Sequence, residues 1–165
     1  MVKIGYEITG YRKAEKRMIP IQWKQKEQEM MHVNEAKNGV VYLTWPALEK
    51  LSMIRHAFST RLGGVSSGYL SSMNLSYSRG DEPENVRENY RRFCEAAGFA
   101  MEQIVTSDQT HTTNVRYVTK RDCGSGVTRE RDFHEIDGMI TDEPGVVLAT
   151  FYADCVPLYF VDPVH

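Results

Sequence analysis

Two side chains in this sequence have both the chemistry and the setting to act on a ligand: His111 and Cys155. His111 closes the run Ser107-Asp108-Gln109-Thr110-His111, just beyond an apolar stretch that ends near Thr106. Cys155 stands in Ala153-Asp154-Cys155-Val156-Pro157, just beyond the apolar stretch Val146 to Phe151. Imidazole and thiolate are donors that zinc prefers, and a catalytic zinc takes three protein ligands and keeps one position open. Forty-four positions separate the pair, so a local knuckle is excluded and a shared site must come from tertiary folding. Read as a nucleophilic couple, the same residues would set His111 as the base that raises the thiolate fraction of Cys155. A structural or surface role for each is the commoner fate of an isolated His or Cys in a loop. The zinc deaminase signature HxE…PCxxC is absent, since nothing after His134-Glu135 completes it.

Short strands and one long helix must position these residues. Val40-Val41-Tyr42-Leu43-Thr44 is β-branched and aromatic, as a strand prefers, and Arg55 to Thr60 alternates polar and apolar residues as a second strand. Gln103 to Thr106, Val115 to Thr119, Met139 to Thr141, Val146 to Phe151 and Leu158 to Val161 are further strand candidates. Val86, Tyr90, Phe93 and Ala97 recur at i, i+4, i+7 and i+11, one apolar stripe of a helix. Asp81 is the expected cap, Pro83 suits the first turn and Gly98 ends the helix. Cys94 lies beside the stripe and reads as a small buried apolar residue rather than a nucleophile. Gly63-Gly64-Val65-Ser66-Ser67-Gly68 is a loop whose glycines permit positive φ and close backbone approach. It matches neither a GxxxxGK(S/T) loop nor a dinucleotide fingerprint, and an ordinary connector is the simpler reading. Many short strands with one strong helix argue a mixed α+β domain over regular βαβ alternation.

Residues 1–38 differ from the rest. They lack a sustained period, and Lys3 to Tyr11 as a strand and Trp23 to Met31 as a short helix are the elements they suggest. Residues 1–40 carry eight Lys/Arg against five Asp/Glu, whereas the remainder carries twelve against seventeen. The expected organisation is an N-terminal extension at 1–38 and one domain at 39–165, long enough for a core. The net charge of −2 gives no global pull toward nucleic acid or an anionic membrane. No stretch approaches the roughly 20 apolar residues of a membrane span. Cys94, Cys123 and Cys155 are odd in number, far apart and without CxxC, which fits a reducing, cytoplasmic location.

Six elements, in order, resemble the laccase-domain family, also called the polyphenol oxidase or purine nucleoside phosphorylase family. Phe58-Ser59-Thr60-Arg61-Leu62-Gly63-Gly64-Val65-Ser66 resembles its F-S/T-T-R-x-G-G-V-S opening, and Ser72-Met73-Asn74-Leu75 its S-x-N-L. Gly80-Asp81 with Val86-Arg87-Glu88-Asn89 is similar to its G-D-x-x-x-x-V-x-x-N helix start. Gln109-Thr110-His111 resembles Q-x-H, Asp137-Gly138-Met139-Ile140-Thr141 resembles D-G/A-x-I/V-T, and Ala153-Asp154-Cys155-Val156-Pro157 resembles A-D-C-x-P.

The resemblance implies a four-layer α/β/β/α sandwich-like α+β domain, similar to the catalytic domain of cytotoxic necrotizing factor and incomplete at its C-terminus. It implies a metal, zinc in the leading reading and copper in the alternative, held by the His of Q-x-H, the Cys of A-D-C and a second His in a downstream H-A/S-G-W-R-G. The first two map to His111 and Cys155; the sequence ends at Asp162-Pro163-Val164-His165, before the third is expected. At Thr112 the family often has glycine. The implied activity is phosphorolysis of a purine nucleoside such as adenosine or inosine to base and ribose 1-phosphate, with adenosine deamination and methylthioadenosine cleavage beside it. In that reading Arg61 offers a fork for phosphate, Asn74 a contact to a ribose hydroxyl or base edge, and Asp154 a carboxylate that orients a metal ligand or ends a strand. Copper-dependent phenol oxidation is the alternative, disfavoured because no axial ligand such as Met is identifiable. A non-catalytic interaction domain is a third reading, favoured by the missing third ligand. The expected partners are nucleoside and phosphate, with neither nucleic acid nor membrane. An exposed sheet edge at Leu158 to Val161 is expected to promote self-association.

Overall fold

β-Branched and aromatic residues set the first sheet. The computed structural model describes residues 30–164. In it β1 (His32–Glu35) pairs antiparallel with β2 (Val41–Thr44), Val33 opposite Leu43, and β2 pairs antiparallel with β3 (Phe58–Ser59), Leu43 opposite Phe58. β1 falls within the stretch expected as an extension, and its ladder ties that part of it to the sheet. The strand expected at Lys3 to Tyr11, and the helix expected at Trp23 to Met31 apart from its last two residues, lie outside the described residues. Of the strand expected at Arg55 to Thr60, only Phe58–Ser59 is paired. The ladder stops there because the Trp45 amide donates to the His56 ring nitrogen Nε2 at 2.7 Å instead of to a backbone carbonyl.

A four-residue helix α1 (Pro46–Glu49) follows β2, and the long helix is α2 (Pro83–Ala97). Its stripe is as the spacing predicts: Val86, Tyr90, Phe93 and Ala97 are all buried, and Gly98, at φ 73°, ends the helix. Cys94 is buried beside them, and burial pushes its thiol up to about 12, leaving it inert as a nucleophile. Glu82, not Asp81, occupies the cap position. The Asp81 carboxylate turns back instead to the Ser66 hydroxyl at 2.6 Å and the Asn74 amide at 2.9 Å.

The remaining strands form two parallel pairs. β4 (Ile104–Thr106) runs beside β7 (Val147–Ala149), and β5 (Val115–Tyr117) beside β6 (Gly138–Ile140). The domain is mixed, as expected, yet holds more parallel pairing than many short strands suggested. β4 is buried on both faces, as parallel strands usually are. Ile104 joins the cluster of Val40, Met73, Leu75, Val86 and Tyr90, while Val105, pointing the other way, joins Val118 and Phe133. The strand expected at Leu158 to Val161 does not form; Tyr159 instead packs its ring 5.5 Å from that of Trp45. Leu158 and Phe160 remain 69% and 88% exposed. No helix among the described residues is long and apolar enough to cross a membrane.

One buried amide locks α2 to the loops that follow β3. Asn89 is fully enclosed. Its Oδ1 accepts from the Val65 amide at 2.8 Å, and its Nδ2 donates to the Ser66 hydroxyl and the Asn74 carbonyl, both at 2.8 Å. Gly64 permits this closeness, since a Cβ there would fall on the Ser72 carbonyl. Gly63, which meets the Gly39 backbone, and Gly64 thus admit other backbone, whereas Gly68 faces open space.

Removing the Asn89 amide strands buried partners, each worth about 1–3 kcal/mol if left unpaired. Asn89→Ala is expected to destabilise the domain by about 2–4 kcal/mol, while Asn85→Ala, which removes one half-buried bond to Asp81, costs under about 1 kcal/mol. Urea unfolding followed by circular dichroism checks both. Deleting residues 1–38 removes β1 and is expected to lower Tm by about 5 °C or more; an unchanged Tm would show that the β1–β2 ladder contributes nothing.

Candidate functional site

Parallel pairing sends the two candidate donors the same way. Thr106, the end of β4, lies opposite Ala149, the end of β7, so both chains leave the pair at its carboxyl edge. His111 follows five residues after one exit and Cys155 six residues after the other. Ligands of open α/β sheets bind outside the carboxyl ends of their strands. Two bonds hold the exits together: the Ser107 amide donates to the Ala149 carbonyl at 3.0 Å, and the Phe151 amide to Gln109 Oε1 at 2.6 Å. Gln109 Oε1 also accepts from the Ser107 hydroxyl at 2.9 Å. The Gln of Q-x-H therefore ties the loop of the His to the segment that leads to the Cys.

His111 itself adopts φ 64°, a conformation unusual for any residue but glycine. Beneath it the Asp137 carboxylate accepts from three successive amides, Thr110 at 3.1 Å, His111 at 2.9 Å and Thr112 at 2.9 Å. The Thr112 hydroxyl lies 3.0 Å from the same carboxylate and 3.1 Å from the Glu135 carbonyl. These donors, the Thr112 amide foremost, hold the Asp137 carboxyl down at about 2. Thr112 therefore adds a hydroxyl to the cradle, and the left-handed residue is His111.

A second aspartate braces the facing loop. Asp108 binds Arg131 Nη2 at 2.7 Å, approaches His134 Nδ1 at 3.3 Å and accepts from the Glu135 amide at 3.2 Å. Arg131 also donates through Nη1 to the Thr106 hydroxyl and the Ser107 carbonyl, both at 2.9 Å. His134 and Glu135, read in the sequence only as an incomplete deaminase motif, serve this brace. Asp122 does the same for the loop after β5, taking Arg116 at 2.8 Å and the Thr119 amide at 2.8 Å.

His111 and Cys155 are both exposed, and Cys155 Sγ lies 4.0 Å from Asp154 Oδ1. As an accessible imidazole and thiol they fit zinc by donor type. No group of three His, Cys, Asp or Glu able to hold a metal gathers among the described residues. Arg61 leaves β3, on the other sheet. Its Nε donates to the Ser71 carbonyl at 2.9 Å and its Nη2 to the Tyr69 carbonyl at 2.7 Å. Asn74 is buried; its Nδ2 donates to Asp81 and to the Ser76 carbonyl, and its Oδ1 accepts from the Ser76 amide. In this conformation Asn74 has no donor left for a ribose hydroxyl. The cleft of about 320 Å³ beside α1, lined by Thr44, Glu49, Arg55 and His56, contains none of these candidates.

Asp137 and Gln109 were legible as motif letters, but nothing in their local sequence disclosed which amides they would hold. Asn89 likewise sat in a helix pattern as one polar residue among several.

Residues 55–165 match the family model described as multi-copper polyphenol oxidoreductase laccase. Purine nucleoside phosphorylase YlmD of Geobacillus stearothermophilus is 41% identical over 109 residues, which are 64% of this chain and 39% of that protein. A purine nucleoside phosphorylase of Bacteroides thetaiotaomicron is 37% identical over 126 residues, 74% of this chain and 46% of that protein. The crystal structure of YlmD from Geobacillus stearothermophilus superposes with a TM-score of 0.65 at 34% identity, covering 79% of this chain and 48% of that one. The chain thus spans less than half the length of these relatives. With two-thirds of its residues inside the family match, the chain belongs to the multi-copper polyphenol oxidoreductase laccase family, alongside relatives named purine nucleoside phosphorylase.

Proposed function

We propose that this chain is the part of a zinc-dependent purine nucleoside phosphorylase that carries two of its metal donors, His111 and Cys155. The observation that supports it most is their shared exit from the carboxyl edge of β4 and β7, tied by Gln109. The relatives' names point to the reaction class, phosphorolysis of a purine nucleoside; in this reading adenosine or inosine plus phosphate gives base and ribose 1-phosphate, and methylthioadenosine gives adenine and methylthioribose 1-phosphate. Adenosine deamination is a secondary activity in this reading, and the four-layer α/β/β/α arrangement belongs to the complete domain. Bound zinc would supply a Lewis acid that polarises a substrate oxygen. The chain's own residues would bind and orient. Arg61 spends two of its five N–H donors on its loop and keeps the others for phosphate. Asp154 would act through its neighbour Cys155, and Asn74 would shape the Arg61 loop from within rather than touch the sugar.

Two donors fix a metal less firmly than three, so the chain alone is expected to hold zinc weakly and turn over adenosine at least about 100-fold more slowly than a complete relative. The apolar run with Val156, Leu158 and Phe160 exposed favours self-association. Robust release of ribose 1-phosphate by a monodisperse monomer would contradict this reading. Oxygen uptake with a phenol and copper would favour the oxidase alternative, and the absence of both metal binding and turnover the non-catalytic one.

His111→Ala and Cys155→Ala are each expected to weaken the residual zinc binding seen by titration by at least about 10-fold, while moving Tm by no more than about 2 °C, since both side chains are exposed. Unchanged zinc affinity in either variant would remove that residue from the site.

A further inference from the structure

We propose that Asp137 is a positioning residue that aims His111 through its backbone rather than through its ring. This rests on the reading of His111 as a metal donor. Metal-binding histidines usually owe their orientation to a carboxylate or carbonyl that accepts the second ring N–H. Here the nearby carboxylate does something else. Asp137 Oδ1 takes the His111 amide, and Oδ2 takes the Thr110 and Thr112 amides. Three successive N–H groups converging on one anion form a concave nest, a geometry that requires a turn into the left-handed region. His111 is the residue that makes that turn, at φ 64°. No ring hydrogen bond constrains its imidazole among the described residues, so both ring nitrogens stay open to a ligand.

The facing loop repeats the device. Glu135 is the other described non-glycine residue with positive φ, at 56°, and its amide is held by Asp108 Oδ2. The Glu135 carbonyl then accepts from Asn114 Nδ2 at 3.0 Å, with Thr112 Oγ1 3.1 Å away. Two residues in a costly conformation thus lie across from each other, each held by an aspartate. Without Asp137 the three amides lose their common acceptor, and His111 is released to the ordinary regions of φ, which redirects its side chain.

The test uses the full chain, cobalt(II) as the probe, and the variants Asp137→Asn and Asn114→Ala. Asp137→Asn keeps the size of the side chain and removes its charge and one acceptor; Asn114→Ala loosens the same loop pair but leaves the carboxylate. Cobalt binding is followed by the thiolate-to-cobalt absorption of Cys155, backbone order by hydrogen exchange at residues 110–112, and overall fold by far-UV circular dichroism. The expected result is loss of exchange protection at residues 110–112 and cobalt binding weakened about 10-fold or more in Asp137→Asn, with Asn114→Ala close to wild type and both spectra native. Equal cobalt affinity in Asp137→Asn and wild type overturns the role of Asp137 while leaving the metal reading intact. Equal weakening in both variants shows only general loosening and overturns it as well. No thiolate band in the wild type overturns the metal reading, and the inference with it.

Discussion

A buried amide N–H left without an acceptor costs about 1–3 kcal/mol, and a loop, with no regular ladder of its own, relies on side chains for part of its acceptors. This domain runs its candidate site through loops, and four aspartates take up the demand. Asp81 gathers the Ser66, Asn74 and Asn85 side chains with the Glu82 amide; Asp108 holds Arg131 and the Glu135 amide; Asp122 holds Arg116 and Thr119; Asp137 holds three successive amides. Burial alone would raise Asp81 and Asp122, but their donors outweigh it and leave both below the usual carboxylate range. Carboxyls depressed in the folded state stabilise it fully above their unfolded values and lose that contribution as pH falls through the folded ones. For Asp137 that window runs from about 4 down to about 2. Above pH 5 the braces of Asp81, Asp122 and Asp137 are all charged.

These braces connect packing to chemistry. Asn89 anchors the Gly64 and Asn74 loops on α2, and α2 packs its stripe against Ile104 of β4. β4 then carries the chain to Asp108, Gln109 and His111, while its parallel partner β7 carries it to Cys155. An antiparallel pairing of the same two strands would send His111 and Cys155 to opposite ends. The direction of one strand pair is therefore what allows a shared site.

Local pattern was enough where burial follows a period. The α2 stripe at Val86, Tyr90, Phe93 and Ala97 and the β2 run at Val41–Thr44 both formed as their spacing demands. Features that need a distant partner were not legible in the same way. Leu158 to Val161 has a strand's composition but joins no ladder among the described residues, and Asp81 has a cap's position but meets better donors in Ser66 and Asn74. The left-handed turn at His111 carries no glycine signal, since its cause, Asp137, lies twenty-six residues away. His111 and Cys155 could be picked out by type and by resemblance, but their common edge follows from parallel pairing, which short apolar runs do not specify.

X-ray absorption at the zinc edge of the zinc-loaded chain tests the central claim most directly, because it counts and identifies the atoms around the metal. One sulfur at about 2.3 Å and at least one imidazole nitrogen at about 2.0–2.1 Å are expected, with the sulfur lost in Cys155→Ala and the imidazole signal reduced in His111→Ala. A shell of oxygen alone, or a sulfur that persists in Cys155→Ala, would contradict a site built from the two exits of β4 and β7.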